Sequence, residues 1–169
     1  PFLLNQLNAE LCVEFAQGER VRLLYPEYSE SYEEIGPAHI FSLHVEGEGY
    51  RARRQFVNGV LDIRGYDTVF EKACNEEQFV TLMKMAIYRL NDPYELTAEA
   101  KSRYESYLKA YEVPILEQLV HAQDEENLRL LCGQPLISDD AVQAAVIRAV
   151  AEGWTRGVAG IIRWRNADA

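Results

Sequence analysis

No apolar run in this 169-residue sequence approaches the roughly 18 residues that a membrane span requires. Cations are scarce as well: 17 Lys and Arg stand against 27 Asp and Glu, a formal net charge of -10. General nucleic-acid or anionic-membrane binding is thereby disfavoured, because its phosphate term needs surplus positive charge. The three cysteines, Cys12, Cys74 and Cys132, are far apart and make no C-x-x-C pair. They read as buried small apolar residues rather than a disulfide framework, with one bridge as the alternative. There is no Gly-x-Ser-x-Gly elbow and no phosphate-binding P-loop, so no nucleophile or nucleotide signature is present. Paired glycosidase-type carboxylates come from distant positions, and spacing alone does not address them. The sequence opens on Pro1 rather than Met, which gives the expectation of a piece excised from a longer protein and leaves cytoplasm and cell surface both open.

What is present is a globular balance, 48% hydrophobic and 26% charged residues. A chain of this length buries about two thirds of its unfolded surface and needs no disulfide or metal staple. The expected organisation is one mostly α domain in three parts: residues 1–36, a β-hairpin and an acidic Tyr/Glu-rich loop; 37–112, a helical array; and 113–169, two helix pairs. In the first part Glu10–Phe15 and Arg20–Tyr25 are strand-like runs joined by Ala16-Gln17-Gly18-Glu19, the pattern of a hairpin. The segment Tyr25 to Glu34 lacks the ordered ligand spacing and central glycine of a calcium loop and reads as a solvated loop anchored by tyrosines.

From Pro37 onward helical spacing is expected. Ile40, Phe41, His44 and Val45 share one helical face, and Gly47-Glu48-Gly49 would close that helix. Asn58-Gly59 fits either a hairpin turn or a helix C-cap followed by Asp62 as the next N-cap. The helical reading is preferred because Tyr50–Phe56 lacks a clean alternation. Asn75 and Gln78 resemble a capping box before a stripe of Phe79, Leu82, Met83, Ala86, Ile87 and Leu90, ended by Asn91-Asp92-Pro93. Thr97 caps the next helix, and Pro114 opens a third.

Residues 115–132 align with 145–162 at an offset of 30. Ile115, Leu116, Leu119 and Val120 fall on Ala145, Val146, Ala149 and Val150. Leu128, Leu131 and Cys132 fall on Val158, Ile161 and Ile162. Each copy reads as a helix, a tight turn and a second helix, and stacking on a neighbour supplies the core that one pair lacks.

On these residues, and on Ala149-Val150-Ala151-Glu152-Gly153, the carboxy-terminal part resembles ankyrin-type helix pairs. It departs from them in having no Thr-Pro-Leu-His and too short a link at Cys132–Leu136. A second resemblance runs through Tyr25-Pro26-Glu27-Tyr28, Pro37–Phe41, Gly49-Tyr50-Arg51, Tyr66–Phe70, Arg89-Leu90, Pro93–Leu96 and Ile161–Arg165. In that order they are similar to the helical domain that follows leucine-rich repeats in some large bacterial proteins. That family implies an upstream repeat domain in the same chain and brings no activity.

Candidate binding residues are few. Arg51, Arg53, Arg54 and Arg64 form the densest basic cluster, suited to docking an anionic partner or to pairing internally with Glu27–Glu34. Trp154 and Trp164 are either binding anchors or a cap on the core. His39 and His44, five apart, do not share a helical face as zinc ligands would, and with His121 they read as ordinary core or surface histidines. Gly47–Ala52 lacks the last glycine of a dinucleotide loop. The expectation is a non-catalytic protein–protein interaction module with a protein partner and no cofactor. The alternatives are a structural cap on an upstream repeat array and an enzyme domain.

Overall fold

Tyr25, Leu24, Leu23 and Val21 are all buried, so strand β2 (Arg20–Tyr25) lies inside the protein, whereas its hairpin partner β1 (Ala9–Glu14) only alternates between half-buried and exposed. The computed structural model describes residues 8–36, 40–132 and 134–166. Among these residues the chain is mostly helical, with eight helices and three separate two-stranded antiparallel ladders. It divides into two compact units, Pro1–Ala100 and Lys101–Ala169.

In the first unit the expected amino-terminal hairpin is present, with Ala9 opposite Tyr25 and Glu14 opposite Arg20. Gly18, at φ +89°, supplies the left-handed turn residue. A second hairpin follows, β3 (Ser29–Ile35) with β4 (Ile40–Glu46), where a loop and a helix were expected. Phe41 and Val45 fit both periods, but Leu43 fits only the alternation Phe41-Leu43-Val45 against Ser42-His44-Glu46. Pro37 and His39 lie outside the described residues.

Gly47-Glu48-Gly49 does not close a helix but leads into one, α1 (Gly49–Arg53), with Glu48 at its N-cap. Gly49 is forced by crowding, since a Cβ there would overlap the Pro26 carbonyl oxygen. Asn58-Gly59 is a hairpin turn after all, with φ +53° and +81°, between the two-residue strands β5 (Phe56–Val57) and β6 (Val60–Leu61). These dihedrals are those of the I′ turn that Asn-Gly favours. Asp62 does cap helix α2 (Ile63–Glu76), accepting from the Gly65 N–H at 2.9 Å.

Helix α3 (Phe79–Asn91) has no side-chain capping box: Asn75 lies inside α2, and Gln78 makes no cap bond. The expected stripe is buried at Leu82, Met83, Ala86 and Ile87, but so are Thr81, Met85, Tyr88 and Arg89. A helix buried nearly all round is a core helix rather than a surface one, and α3 packs on β2 and on α2. Arg89 is tolerated there because its guanidinium is bonded on every side. It donates from Nε to Asp67 Oδ1 at 2.7 Å and from Nη2 to Asp67 Oδ2 at 2.9 Å. It also reaches the Asp92 carbonyl at 2.6 Å and the Tyr94 carbonyl at 3.1 Å. The Tyr66 hydroxyl, on the residue before Asp67 in α2, donates to the Leu24 carbonyl of β2 at 2.5 Å.

Helix α4 (Ala98–Ala110) begins at Thr97, whose hydroxyl accepts from the Ala100 N–H at 3.2 Å. In the second unit α5 (Glu112–His121) packs on α6 (Glu125–Cys132) and α7 (Asp139–Ala151), and α8 (Thr155–Asn166) packs on α6 and α7. Both helix–helix turns are the same Schellman motif. Asp124 and Gln123 donate to the Leu119 and Val120 carbonyls; 30 residues on, Trp154 and Gly153 donate to those of Ala149 and Val150. Gln123 and Gly153 carry the positive φ, +50° and +70°. The turns then part chemically. Asp124 caps α6 and holds the buried Asn127 amide at 2.7 Å, whereas the Trp154 ring lies over Gly157, where a Cβ would overlap it.

Replacing Arg89 by Leu strands the Asp67 carboxylate in the core, and the expected loss is about 3–5 kcal/mol in urea unfolding. Arg64→Ala, at an exposed ion pair with Glu95, should stay within about 1 kcal/mol. Gly157→Ala should cost about 1–3 kcal/mol by overpacking. Trp154→Ala in the same chain should recover part of that loss, measured as the thermal midpoint of the double against the single variant.

Candidate functional site

The four arginines do not form one patch. Arg51 and Arg54 are exposed and line a cleft of about 280 Å³ together with Glu48, Gln55, Thr68, Val69 and Lys72. Arg53, two positions from Arg51 on α1, turns inward. It donates to the Pro26 carbonyl at 2.5 Å and the Gly49 carbonyl at 3.0 Å, and its guanidinium lies 5.1 Å from the Tyr28 ring centre. That position clamps α1 to the β2–β3 link instead of presenting a charge to a partner. Arg64 pairs with Glu95 at 3.2 Å. The internal partners found for Arg51 and Arg64 are thus Glu48 and Glu95, not the Glu27–Glu34 segment.

Glu48 is the feature that sequence reasoning missed. Its side chain is 2% exposed, Oε1 lies 3.7 Å from Arg51 Nε, and Oε2 has no hydrogen-bond partner in the protein. Burial raises its pKa above the ordinary carboxylate range; Arg51 and Lys72 oppose the shift and Glu76 adds to it. Its own N–H donates to Glu77 Oε1 at 2.7 Å, and Glu77 is likewise raised by burial. The one sequence signal was the i,i+3 spacing of Glu48 and Arg51; Lys72 arrives from α2 and has no local signature.

The second candidate surface is the β3–β4 hairpin. Residues directly opposite share a face, so the pairs Glu30–Val45, Tyr32–Leu43 and Glu34–Phe41 put Val45, Tyr32, Leu43 and Phe41 on one side. Tyr32 is 67%, Phe41 61% and Leu43 43% exposed. The strands pack chiefly on each other. From Glu27 to Glu46 there are five Glu and no Lys or Arg, so the apolar face has an acidic rim. At its base a wider cleft of about 470 Å³ is lined by Glu27, Tyr28, Glu46, Glu76 and Glu77 among others.

The remaining candidates are dispersed. Trp164 is buried, its ring over Gly160, where a Cβ would come within 2.6 Å of it, and Trp154 is half-buried over Gly157; both serve the packing of α8. His44 faces the Glu33 carboxylate at 3.3 Å and His121 that of Glu152 at 3.4 Å, both exposed. Cys132 is buried, with its thiol pushed up to about 11 by burial, but Cys12 and Cys74 are exposed, contrary to expectation. Cys12 shares the exposed face of β1 with Glu10 and Glu14, a placement the strand alternation already carried. Among the described residues no three His, Cys, Asp or Glu side chains gather as a metal site would require, and no helix is long and apolar enough to cross a membrane.

Comparison with models of known protein families, with curated proteins and with solved structures finds no match.

A carboxyl whose folded pKa is raised holds its proton more tightly in the native state, so its stabilising effect is greatest below the unfolded pKa and is lost as pH rises through the folded one. Glu48 and Glu77 share that sign. Glu48→Gln should therefore raise stability at neutral pH and flatten the decline that sets in above about pH 4.5, with a residual slope from Glu77. Urea unfolding across that range reads both.

Proposed function

We propose that this chain is a non-catalytic protein–protein interaction module. The observation that carries the reading is the β3–β4 hairpin, which holds Tyr32, Phe41 and Leu43 out to solvent on one face. Exposed aromatic residues gathered on a face are the composition of interface cores. The acidic rim defines the partner: a protein surface with an apolar centre and flanking Lys or Arg. Arg51 and Arg54, with Lys72, are a lesser polar contact on the same unit. In the second unit the two helix pairs are read as ankyrin-like, supported by the repeated Schellman turns, with a bacterial repeat protein as the parent.

A second reading, a structural cap on an upstream repeat array, is favoured by one feature. Among the described residues strand β1 pairs with β2 alone, which leaves its other edge as a place where a further strand could add.

The test compares capture from the source lysate by the wild type and by a Tyr32→Ser, Phe41→Glu variant of unchanged thermal midpoint. A protein bound by the wild type, released as salt rises and at least tenfold weaker on the variant, is the expected result. Capture that ignores both salt and the variant contradicts the hairpin's role.

A further inference from the structure

The cleft between α1 and α2 has a rim and a floor of opposite character. Arg51, Arg54, Thr68 and Lys72 are exposed at its edge, whereas Glu48 and Val69 are buried beneath them. Three cations thus face one carboxylate, in a protein whose formal net charge is -10. Most of that positive charge is unspent. Among the described residues neither Arg54 nor Lys72 has a carboxylate within ion-pair distance, and Arg54 donates to the neutral Tyr50 hydroxyl at 3.2 Å. Arg51 meets Glu48 only at 3.7 Å, beyond hydrogen-bond length. The Gln55 amide nitrogen and the Thr68 hydroxyl donate to the Arg51 and Gly65 carbonyls at 3.1 and 2.7 Å. On the floor the position is reversed. Glu48 is buried, and its Oε2 accepts no hydrogen bond. A buried carboxylate oxygen without a donor is costly, so the cleft presents surplus cations and one unfilled acceptor. Glu76, the other carboxylate near Glu48, lines the separate acidic cleft.

We propose that this cleft binds a compact zwitterion, a free amino acid with a short side chain, through its carboxylate and its ammonium group. The carboxylate takes Arg51, Arg54 and Lys72, and the ammonium donates to Glu48 Oε2, so that every polar contact is charge-assisted. Each half of the site disfavours a simpler ligand. An inorganic anion satisfies the cations but leaves Oε2 without a donor and brings a second negative charge toward it. A bare cation reaches Glu48 only past three like charges. A molecule carrying both groups meets both needs. The cleft volume, about 280 Å³, is at the lower limit for small-molecule sites and suits a ligand of that size, with Val69 as its apolar contact. Oε2 is closed to solvent, and Arg51 is the rim side chain that meets Glu48. Its loose contact lets it turn to the ligand carboxylate, which opens the floor to the ammonium. The cleft shares no residue with the β3–β4 hairpin, and the proposal does not depend on the hairpin's role.

The experiment titrates the full chain at neutral pH with glycine, L-alanine, L-serine, L-threonine and L-valine. Binding is read by calorimetry and by the rise in thermal midpoint that it produces. The tightest of them is then compared with its N-acetyl derivative, its carboxamide and inorganic phosphate. Lys72→Ala and Glu48→Gln variants, checked by circular dichroism for unchanged helicity, are titrated alongside. The expected result is saturable binding of a free amino acid, at least tenfold weaker in each variant and at least tenfold weaker for each capped derivative. Three results would overturn the proposal. The first is neither heat nor midpoint shift with any of the five at millimolar concentration. The second is equal binding of the N-acetyl derivative or of phosphate, or a loss in Lys72→Ala with none in Glu48→Gln, which would mean a plain anion site. The third is binding that survives both substitutions, which would put the ligand elsewhere on the protein. Should Glu48→Gln fail to fold, Lys72→Ala, at an exposed position, and the capped derivatives decide the matter.

Discussion

The guanidinium of Arg89 has no access to water, and the first unit is built around satisfying it. Asp67 on α2 takes two of its N–H groups, and the carbonyls of Asp92 and Tyr94 take others. One side chain thus fixes the register of α2 against α3 and the path of the chain leaving α3. The strand β2 is drawn into the same assembly, since Tyr66 on α2 bonds its Leu24 carbonyl and Arg22 stacks 3.9 Å from the Tyr88 ring centre on α3. A core closed by one fully bonded polar centre tolerates little rearrangement. The β3–β4 hairpin packs chiefly on itself, and its apolar face stays in solvent.

The second unit is governed by a backbone geometry rather than by a polar centre. Two Schellman turns place two helix pairs in equivalent positions, and different chemistry finishes each. Glu112 further ties the two pairs: its carboxylate accepts from the Ser138 hydroxyl at 2.6 Å and the Ser138 N–H at 3.0 Å, bonds that hold its pKa down. Ser138 in turn caps α7, accepting from the Ala141 N–H at 3.2 Å. Arg165 closes the other end of α8 on Asp139 and the Ile137 carbonyl.

Much of this was legible in the sequence where one period dominated. The first hairpin, the Asp62 and Thr97 caps and the end of α3 at Asn91 follow from local rules. The residues 40–45 did not, because Phe41 and Val45 satisfied helix and strand alike and only Leu43 discriminated. Asn58-Gly59 shows the same limit: the turn chemistry was strong, but its flanking strands are two residues long and carry no alternation to read. The candidate site was less legible still. The arginine cluster was visible, yet the sorting of Arg53 inward and Arg51 and Arg54 outward depends on where α1 meets Tyr28, 25 residues before Arg53, and Lys72, 21 residues after Arg51, both outside α1. The buried ion pair of Asp67 and Arg89 was hidden for another reason: each charge interrupts an apolar helix face, Asp67 between Ile63 and Phe70 and Arg89 after Met85 and Ala86, and its partner lies 22 residues away on another helix.

The proposed interaction role stands or falls on whether the β3–β4 face is uncovered in the free chain. Amide hydrogen exchange of the isolated protein addresses this directly, because a hairpin with little packing beyond its own strands opens locally at small cost while core elements open only with the whole unit. The account predicts that the amides of β3 and β4 exchange orders of magnitude faster than those of β2 and α3. Protection of β3 and β4 equal to that of α3 would mean that the hairpin is already buried, and would contradict its assignment as the docking surface.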